Sequence, residues 1–596
     1  MLRRHPSGRP WIAGDPGDRR LVHARNDSLE VVLVGSPTAG EQVLAARTRN
    51  ARDVAELDGV AADLVGSDVL LFARQDGRMR AQAPAFLTAS LFWARVDGVA
   101  VVSDEQRPLA LLAGAGVDLA VLAGRLTGAD LSHPFSLNPI WAGVRGVGPG
   151  EWLSSVGSAP PQRRKWWTAP PADRSAADLA PRLNARLRDY LADRVAGHRA
   201  VSADLSGGLD STSLCFFLAE TGKPLHTVFF SSSNALNNDH VWSTRAAGEI
   251  GSRHVVRPYA VTTSSLTEGD AVSVARLPEG PSLSSSAIAS VAVLDDLLAG
   301  TGSTLHVNGH GGDALFGPVS TMPWSLVRST DPRRFAKVWR HRAVNRYPLR
   351  PTLRMLLRGN SYRSDLARVA RSRFDRPDTG VAHHSRWLTL PTVNPVLTGR
   401  VGDLLRGLAT RALDERADAL APDRLAHQVA HFLTVHGAAV RQMNLARGGR
   451  GGIRYDSPYL DRRVVDLALS LTISERAYQL PAKPLLAAAR PARMSPEYFT
   501  RRDKGDYTAE VFDKHRALAG WLRGLFDGGS VLEELGIVSA PALLRAVGAY
   551  SVDGSDYAEL AHIGFAEKWL RSVRDAEGDP PGGREEVGSA QHQIRG

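Results

Sequence analysis

Short apolar runs separated by turn residues dominate the first 165 positions. Residues 29–34, 69–73, 90–94 and 98–102 each read as a strand. The last two flank Arg95-Val96-Asp97, and Asp97-Gly98 is a strong hairpin signal. Some helix is expected near 107–125. This half predicts a mainly antiparallel sheet domain. The stretch from Ser158-Ala159-Pro160-Pro161 to Ala169-Pro170-Pro171 has the composition of a boundary linker.

The pattern then changes. A helix over 175–195 is followed by strands at 201–205, 227–230, 254–256 and 305–307. Helices at 210–220, 239–250 and 287–298 fall between them. Such alternation predicts a parallel sheet covered on both faces. From about 320 to 570 the periodicity is mostly helical, and from Gly578 onward the chain is polar and rich in Gly and Pro, as a disordered tail would be. No internal repeat is present. The expected division is 1–165, 175–575 and a tail at 576–596.

Composition refines this picture only in part. At 596 residues and 43% hydrophobic content, two or three cores are expected. No apolar run is long enough to cross a bilayer. Met1-Leu2-Arg3-Arg4 is followed by Pro6, Arg9 and Asp15 rather than by an apolar segment, so the reading is cytoplasmic, with no membrane partner. The single cysteine, Cys215, lies among Leu214, Phe216, Phe217 and Leu218 and reads as a core residue rather than a catalytic thiol. A net charge of +11 suits anionic partners, but an Arg-biased composition gives the same total, and nucleic acid is not the expected partner. Arginines are dense from Arg328 to Arg376. They read first as solvated helix faces, and alternatively as a surface for an acidic leader segment or partner protein.

The most informative segment is Leu205-Ser206-Gly207-Gly208-Leu209-Asp210-Ser211-Thr212, where a strand ends, two glycines follow and a helix begins. Glycine lets the backbone approach an anion closely, and a helix start directs unpaired N–H groups and a positive dipole at it. Ser206, Ser211 and Thr212 add hydroxyl donors. A carboxylate at Asp210 would repel bare phosphate; it makes sense if Mg²⁺ lies between them. Neither a Walker A motif nor a Gly-x-Gly-x-x-Gly turn is present. An ordinary capped turn would not account for six matched positions in this context.

Ser206-Gly207-Gly208-Leu209-Asp210-Ser211 resembles the PP-loop of the asparagine synthetase family, which cleaves ATP to AMP and pyrophosphate. Further resemblances follow in family order, at Glu279-Gly280-Pro281 through Ala287-Ile288, at Asn308-Gly309-His310-Gly311-Gly312-Asp313-Ala314-Leu315-Phe316-Gly317, and at Pro458-Tyr459-Leu460-Asp461 with Val464-Val465-Asp466. The last is Arg502-Asp503-Lys504-Gly505-Asp506-Tyr507. The resemblance implies an α/β fold: a parallel-sheet synthetase domain with a helical C-terminal part, preceded by a degenerate glutaminase-like antiparallel β-sandwich. It implies that Ser206, Gly207, Gly208 and Ser211 cradle the phosphates, with Leu205, Leu209, Thr212, Asn308 and Gly309 completing the nucleotide contact. It also implies Mg²⁺ on Asp210 and Asp313, and charge stabilisation by Lys504. One departure concerns the residue two places before Pro458. Many relatives carry a basic group there; this chain has Asp456, with Arg454 two residues earlier.

Gly143-Val144-Arg145-Gly146-Val147-Gly148-Pro149-Gly150 resembles the closing stretch of the family's glutaminase domain. A working glutaminase uses an N-terminal cysteine, whereas position 2 is Leu2 and this half holds no cysteine, so glutamine hydrolysis is not expected. The amine must then come from elsewhere. Two branches of the family do this, the β-lactam synthetases and the lasso-peptide macrolactam synthetases. His310-Gly311-Gly312-Asp313 and Lys504-Gly505-Asp506-Tyr507 look like the second. His310, neutral near pH 7, either takes a proton from the attacking ammonium or only shapes its loop. The expected reaction is ATP-dependent isopeptide formation in a ribosomally made precursor peptide, served by a leader-binding protein and a leader peptidase. A β-lactam synthetase, an ammonia-dependent asparagine synthetase and an RNA-modifying PP-loop protein are the alternatives.

Overall fold

The computed structural model describes residues 3–128, 132–157, 159–234, 236–259, 272–281, 286–344, 346–374, 386–447, 452–476, 482–501, 505, 518–548 and 555–578. The N-terminal half is built on a six-stranded antiparallel sheet. Its spatial order is Gln162–Lys165, Glu151–Val156, Arg78–Gln82, Leu70–Gln75, Glu30–Gly35 and Arg20–Arg25. Strand alternation sends successive side chains to opposite faces. Val31 and Leu33 accordingly pack with Leu44, Leu57 and Ala61 of the helical covering, while Val32 and Val34 face Leu91 and Trp93. Phe92–Val96 belongs to a three-stranded sheet with Val99–Ser103 and Arg145–Gly146. The Asp97-Gly98 hairpin forms as expected, with φ of 50° and 83°, the sign its turn type requires.

The second half carries the expected parallel sheet. Its order is Arg253–Pro258, Leu225–Ser231, Ala200–Asp204, Ser303–Val307 and Arg454–Asp456. The chain runs outward from Ala200–Asp204 on one side, then returns to lay Ser303–Val307 on the other side of that strand. The strand order therefore reverses between these two neighbours. In an open parallel sheet that reversal opens a crevice at the carboxyl ends of the strands. The fifth strand, 454–456, was not foreseen; three residues are too short to display a period. Helices fill most of the described chain beyond residue 320, as expected, and the last, Ser555–Gly578, runs past the expected start of the tail. The remainder of that tail lies outside the described residues.

The two halves share polar and apolar contacts. Arg194 of the second half bridges Asp68 of the first and Asp456 of its own, each at 3.0 Å, and Asp456 accepts from Ser67 of the first half at 3.3 Å as well as from Tyr190 beside it at 2.9 Å. Arg454 also pairs with Asp68. Asp456, the one departure from the pattern the sequence resembles, and Arg454 two residues earlier thus both contact the N-terminal half. A Cβ added to Gly437, in the helix Arg424–Ala446, would lie 1.7 Å from the carbonyl oxygen of Phe86. Only glycine fits this contact. Cys215 is fully buried, and burial pushes its thiol well above the usual range, as befits a core residue.

Candidate active site

The crevice between Ala200–Asp204 and Ser303–Val307 receives two loops. Residues 205–208 lead into the helix Leu209–Ala219, and residues 308–311 lead into Gly312–Phe316. Gly207 has φ of 74°, and a Cβ there would sit 2.5 Å from the Asp239 carbonyl oxygen. Ser206 and Ser211 join their hydroxyls at 2.9 Å, and Ser211 Oγ also accepts from the Ser206 N–H at 3.2 Å. Both serines are thereby held at the helix start.

The second loop packs on the first through missing side chains. A Cβ on Gly312 would lie 2.4 Å from the Asp210 carboxyl carbon, and one on Gly309 would lie 3.1 Å from the Ser211 nitrogen. These glycines let Asp210 and Asp313, 103 positions apart in the chain, serve one notch. The cation in it is one that the sequence reading missed. Lys483 Nζ donates to Asp210 Oδ2 at 2.5 Å and to Asp313 Oδ1 at 2.6 Å. Burial lowers the pKa of this ammonium, but the two carboxylates outweigh burial and hold it above the ordinary range. The available signal was Lys483-Pro484 ahead of a short helix, with Lys483 itself in the left-handed region at φ 52°.

Lys504 lies outside the described residues, as do Arg502, Asp503, Asp506 and Tyr507. Its neighbours in sequence are anchored at the loop. Arg501 donates to Asp239 at 2.6 Å and to the Gly207 carbonyl at 3.2 Å, and the Gly505 N–H donates to Asp239 at 3.2 Å.

His310 is half-buried on the second loop. Its N–H donates to Asn308 Oδ1 at 3.2 Å, and its carbonyl accepts from Ser457 Oγ at 2.7 Å. Burial lowers its pKa, with Asp204 pulling the other way, so the ring is neutral at pH 7. The His436 ring lies 5.5 Å away, and burial pushes its pKa down to about 4. Beside them His306 joins Asp204 at 3.1 Å and Ser202 at 3.0 Å. His436, His306 and Asp204 were also missed, because they come together only through the parallel register and the helix Arg424–Ala446.

Leu205, Leu209, Thr212 and Asn308 shape the floor of the crevice. Leu205 is fully buried, Leu209 packs at the margin of the same core, and Tyr459 donates its hydroxyl to the Asp210 carbonyl at 3.0 Å. Thr212 Oγ1 and Asn308 Nδ2 are buried with no hydrogen-bond partner among the described residues. Buried polar atoms are usually satisfied, so these two fit a polar ligand in the crevice. The Pro458–Leu460 turn is structural: Asp461 accepts from Arg463 N at 3.1 Å, capping the helix Arg462–Leu469, and Asp466 accepts from Trp167 at 2.8 Å. Glu279, in the second matched segment, forms a buried two-pronged pair with Arg441; residues 282–285 of that segment lie outside the described residues.

No helix among the described residues is long and apolar enough to cross a membrane. Among them, no group of three or more His, Cys, Asp or Glu side chains could hold a metal ion by itself.

No curated protein matches the chain. Among solved structures, the chain is similar to an NH3-dependent NAD synthetase from Campylobacter jejuni, at 14% identity over 23% of this chain and 58% of that one, with a TM-score of 0.18. It is similar to a glutamine phosphoribosylpyrophosphate amidotransferase from B. subtilis at 14% identity, over 35% of this chain and 47% of that one, with a TM-score of 0.18. A NAD+ synthetase from Burkholderia pseudomallei is 14% identical over 41% of this chain and 91% of that one, with a TM-score of 0.19. The chain spans less than two thirds of the first two. The match that decides is to the asparagine synthase family model, over residues 182–571, which takes in both loops, Lys483 and the helical part. The chain belongs to the asparagine synthase family, a family of ATP-dependent, AMP-forming ligases.

Proposed function

We propose that this protein closes an isopeptide macrolactam in a ribosomally made lasso-type precursor peptide. ATP is a substrate. A carboxylate oxygen of an Asp or Glu side chain attacks the α-phosphorus, the bond to the β-phosphate breaks, and pyrophosphate leaves. The α-amine of the same peptide then attacks the activated carbonyl carbon, AMP leaves, and an amide remains. Holding both ends of one peptide makes the second step intramolecular, which removes about 7–11 kcal/mol of barrier.

The observation that carries the reading is the meeting of Asp210, Asp313 and Lys483 in one notch beside the Ser206–Ser211 loop. Two carboxylates suit Mg²⁺, which commonly takes one or two carboxylates and completes its shell with phosphate oxygens and water. The notch already holds a cation, the Lys483 ammonium, so its chemistry fits the ion. Bound there, Mg²⁺ would neutralise negative charge on the pyrophosphate. The chain's own contribution is positional. The glycines bring backbone N–H groups to the phosphates, Asn308 Nδ2 offers a buried donor, and Lys483 places positive charge where the leaving group develops its own. The neutral ring of His310 supports the macrolactam branch, since it can take the proton that the attacking ammonium must lose.

A leader-binding protein and a leader peptidase supply the free amine in this reading. The test is to incubate the protein and Mg·ATP with a core peptide bearing a free α-amine and an internal Asp or Glu. Mass spectrometry should show loss of one water, with AMP formed in equal amount. Turnover to ADP, or none with any such peptide, overturns the proposal; AMP formation with ammonia and aspartate instead assigns the chain to an asparagine-forming branch.

A further inference from the structure

The positive charge of this protein is concentrated in one place. From Arg328 to Arg373 the chain carries fourteen basic residues and two acidic ones, Asp331 and Asp365, a net of +12 where the whole chain nets +11. The rest of the molecule is therefore close to neutral. Neither acid offsets the face of interest: Asp331 is held by Lys337 at 2.8 Å, and Asp365 is buried, accepting from Arg386.

Two consecutive helices, Arg334–Val344 and Leu349–Leu357, span this region. Each leaves an apolar stripe in solvent at helical spacing. Phe335, Trp339 and Ala343 form one, and Leu349, Leu353 and Leu357 form the other. Positions i, i+4 and i+8 lie on one side of a helix. The large residues of the stripes are 44% exposed at Leu353 and 81% at Leu357, with Phe335, Trp339 and Leu349 between. Arginines border both stripes. Arg340 lies beside the first and Arg350 and Arg354 beside the second, and Arg342 stacks over the Trp339 ring at 5.4 Å. Every exposed position of the two helices is Phe, Trp, Ala, Val, Leu or Arg, and neither helix contains an acid.

We propose that this helical pair is a docking surface for an anionic lipid bilayer. An apolar face flanked by basic residues, with Trp and Phe among the apolar ones, is the composition that lies in a membrane interface. Arginines beside the stripes would meet acidic headgroups as the stripes enter the acyl boundary. A protein partner is less well served, because specific interfaces use mixed charge and hydrogen-bonding groups to fix register, and this face presents one sign of charge and no Asn, Gln, Ser or Thr in solvent. The expectation of no membrane partner rested on the lack of a spanning segment, which a surface contact does not need. The inference is independent of the reaction at the nucleotide loop.

The experiment is flotation of the full chain with vesicles of phosphatidylcholine alone, or with a minority of phosphatidylglycerol, at low and at molar salt. Binding should be at least about tenfold stronger to the anionic vesicles and should weaken in salt. A variant carrying Trp339→Ser and Leu353→Ser should lose about tenfold in binding with an unchanged melting temperature, since both sites are exposed. A second, Arg340→Glu with Arg354→Glu, should lose the preference for anionic lipid. Equal binding to neutral vesicles, or parental binding by both variants, overturns the proposal. So does absence of vesicle binding, and retention of poly-glutamate or RNA through these helices would then assign the face to a macromolecule.

Discussion

Lys483 and Asp210 are 273 positions apart, yet the lysine ammonium lies 2.5 Å from the aspartate carboxylate. The same nitrogen reaches Asp313 at 2.6 Å, so one cation serves both loops of the crevice. Lys483→Met should leave the fold intact and lower AMP release by about 10²–10³, the range for losing one preorganised charge contact to a developing anion. Asp210→Asn and Asp313→Asn should each abolish AMP release. Near-parental rates in any of the three would remove the notch from the chemistry.

The two glycine contacts make a separate prediction. In Gly312→Ala the new methyl would meet the Asp210 carboxyl at 2.4 Å, and in Gly207→Ala it would meet the Asp239 carbonyl at 2.5 Å from a left-handed backbone. Gly312→Ala should therefore displace Asp210, lowering turnover far more than stability. Gly207→Ala should cost about 1–3 kcal/mol and abolish nucleotide binding. Calorimetric titration with a non-hydrolysable ATP analogue, beside a melting curve, distinguishes the two. An analogue bound normally by Gly207→Ala would refute the cradle.

Asp68 ties the halves together through Arg194 and Arg454. Burial raises its pKa, but the two guanidiniums outweigh burial and bring it down to about 2 from an ordinary 3.8. The folded state thus favours the charged form. Its contribution is fully present above pH 3.8 and is lost as the pH falls toward 2. At neutral pH Asp68→Ala should destabilise by roughly 3–5 kcal/mol, because two cations lose a buried partner. The lower end is expected, since Arg194 keeps Asp456. Urea unfolding measures it, and a change under about 1 kcal/mol would show that the pair is solvated.

A histidine cluster sets the response to acid. Burial lowers the pKa of His427, and Leu420 N donates to its Nδ1 at 3.1 Å, a bond that only the neutral ring accepts. His133, stacked edge-on at 5.8 Å, is brought down to about 3. In the unfolded chain these rings take up protons near pH 6.5, so between that value and the folded pKa the unfolded state binds more protons. Stability should be constant above pH 7 and fall steadily from about 6.5 toward 3. His427→Gln, which retains an acceptor, should flatten the dependence of melting temperature on pH; an unchanged slope would place the acid-sensitive groups elsewhere.

His310 separates two roles by magnitude. As the base for the attacking amine, its replacement by Ala should lower macrolactam formation by about 10²–10⁴ while pyrophosphate exchange persists. If it only shapes the loop through Asn308 and Ser457, exchange and ring closure should fall together.

Much of the fold was legible because period and punctuation survive in sequence. The strand–helix alternation from 200 to 307 and the Asp97-Gly98 turn are local signals, and each formed where expected. The turn Ser206–Ser211 between strand and helix was legible for the same reason, since six consecutive residues carry it. Lys483 was not, because Lys-Pro ahead of a short helix says nothing of Asp210 and Asp313, which it meets only in the folded chain. The strand 454–456 was hidden by its length, and the contact of Asp456 with the first half by a partner, Ser67, 389 positions away.

The contact between Gly437 and Phe86 bears on how such a protein can be cut or recombined. A helix of the catalytic half is grooved to accept main chain from a half that brings no thiol of its own. Expressing residues 175–578 alone would expose that groove and orphan the arginines facing Asp68, so the fragment should be insoluble. The two halves should therefore fold as a unit, and chimaeras should exchange them only as matched pairs.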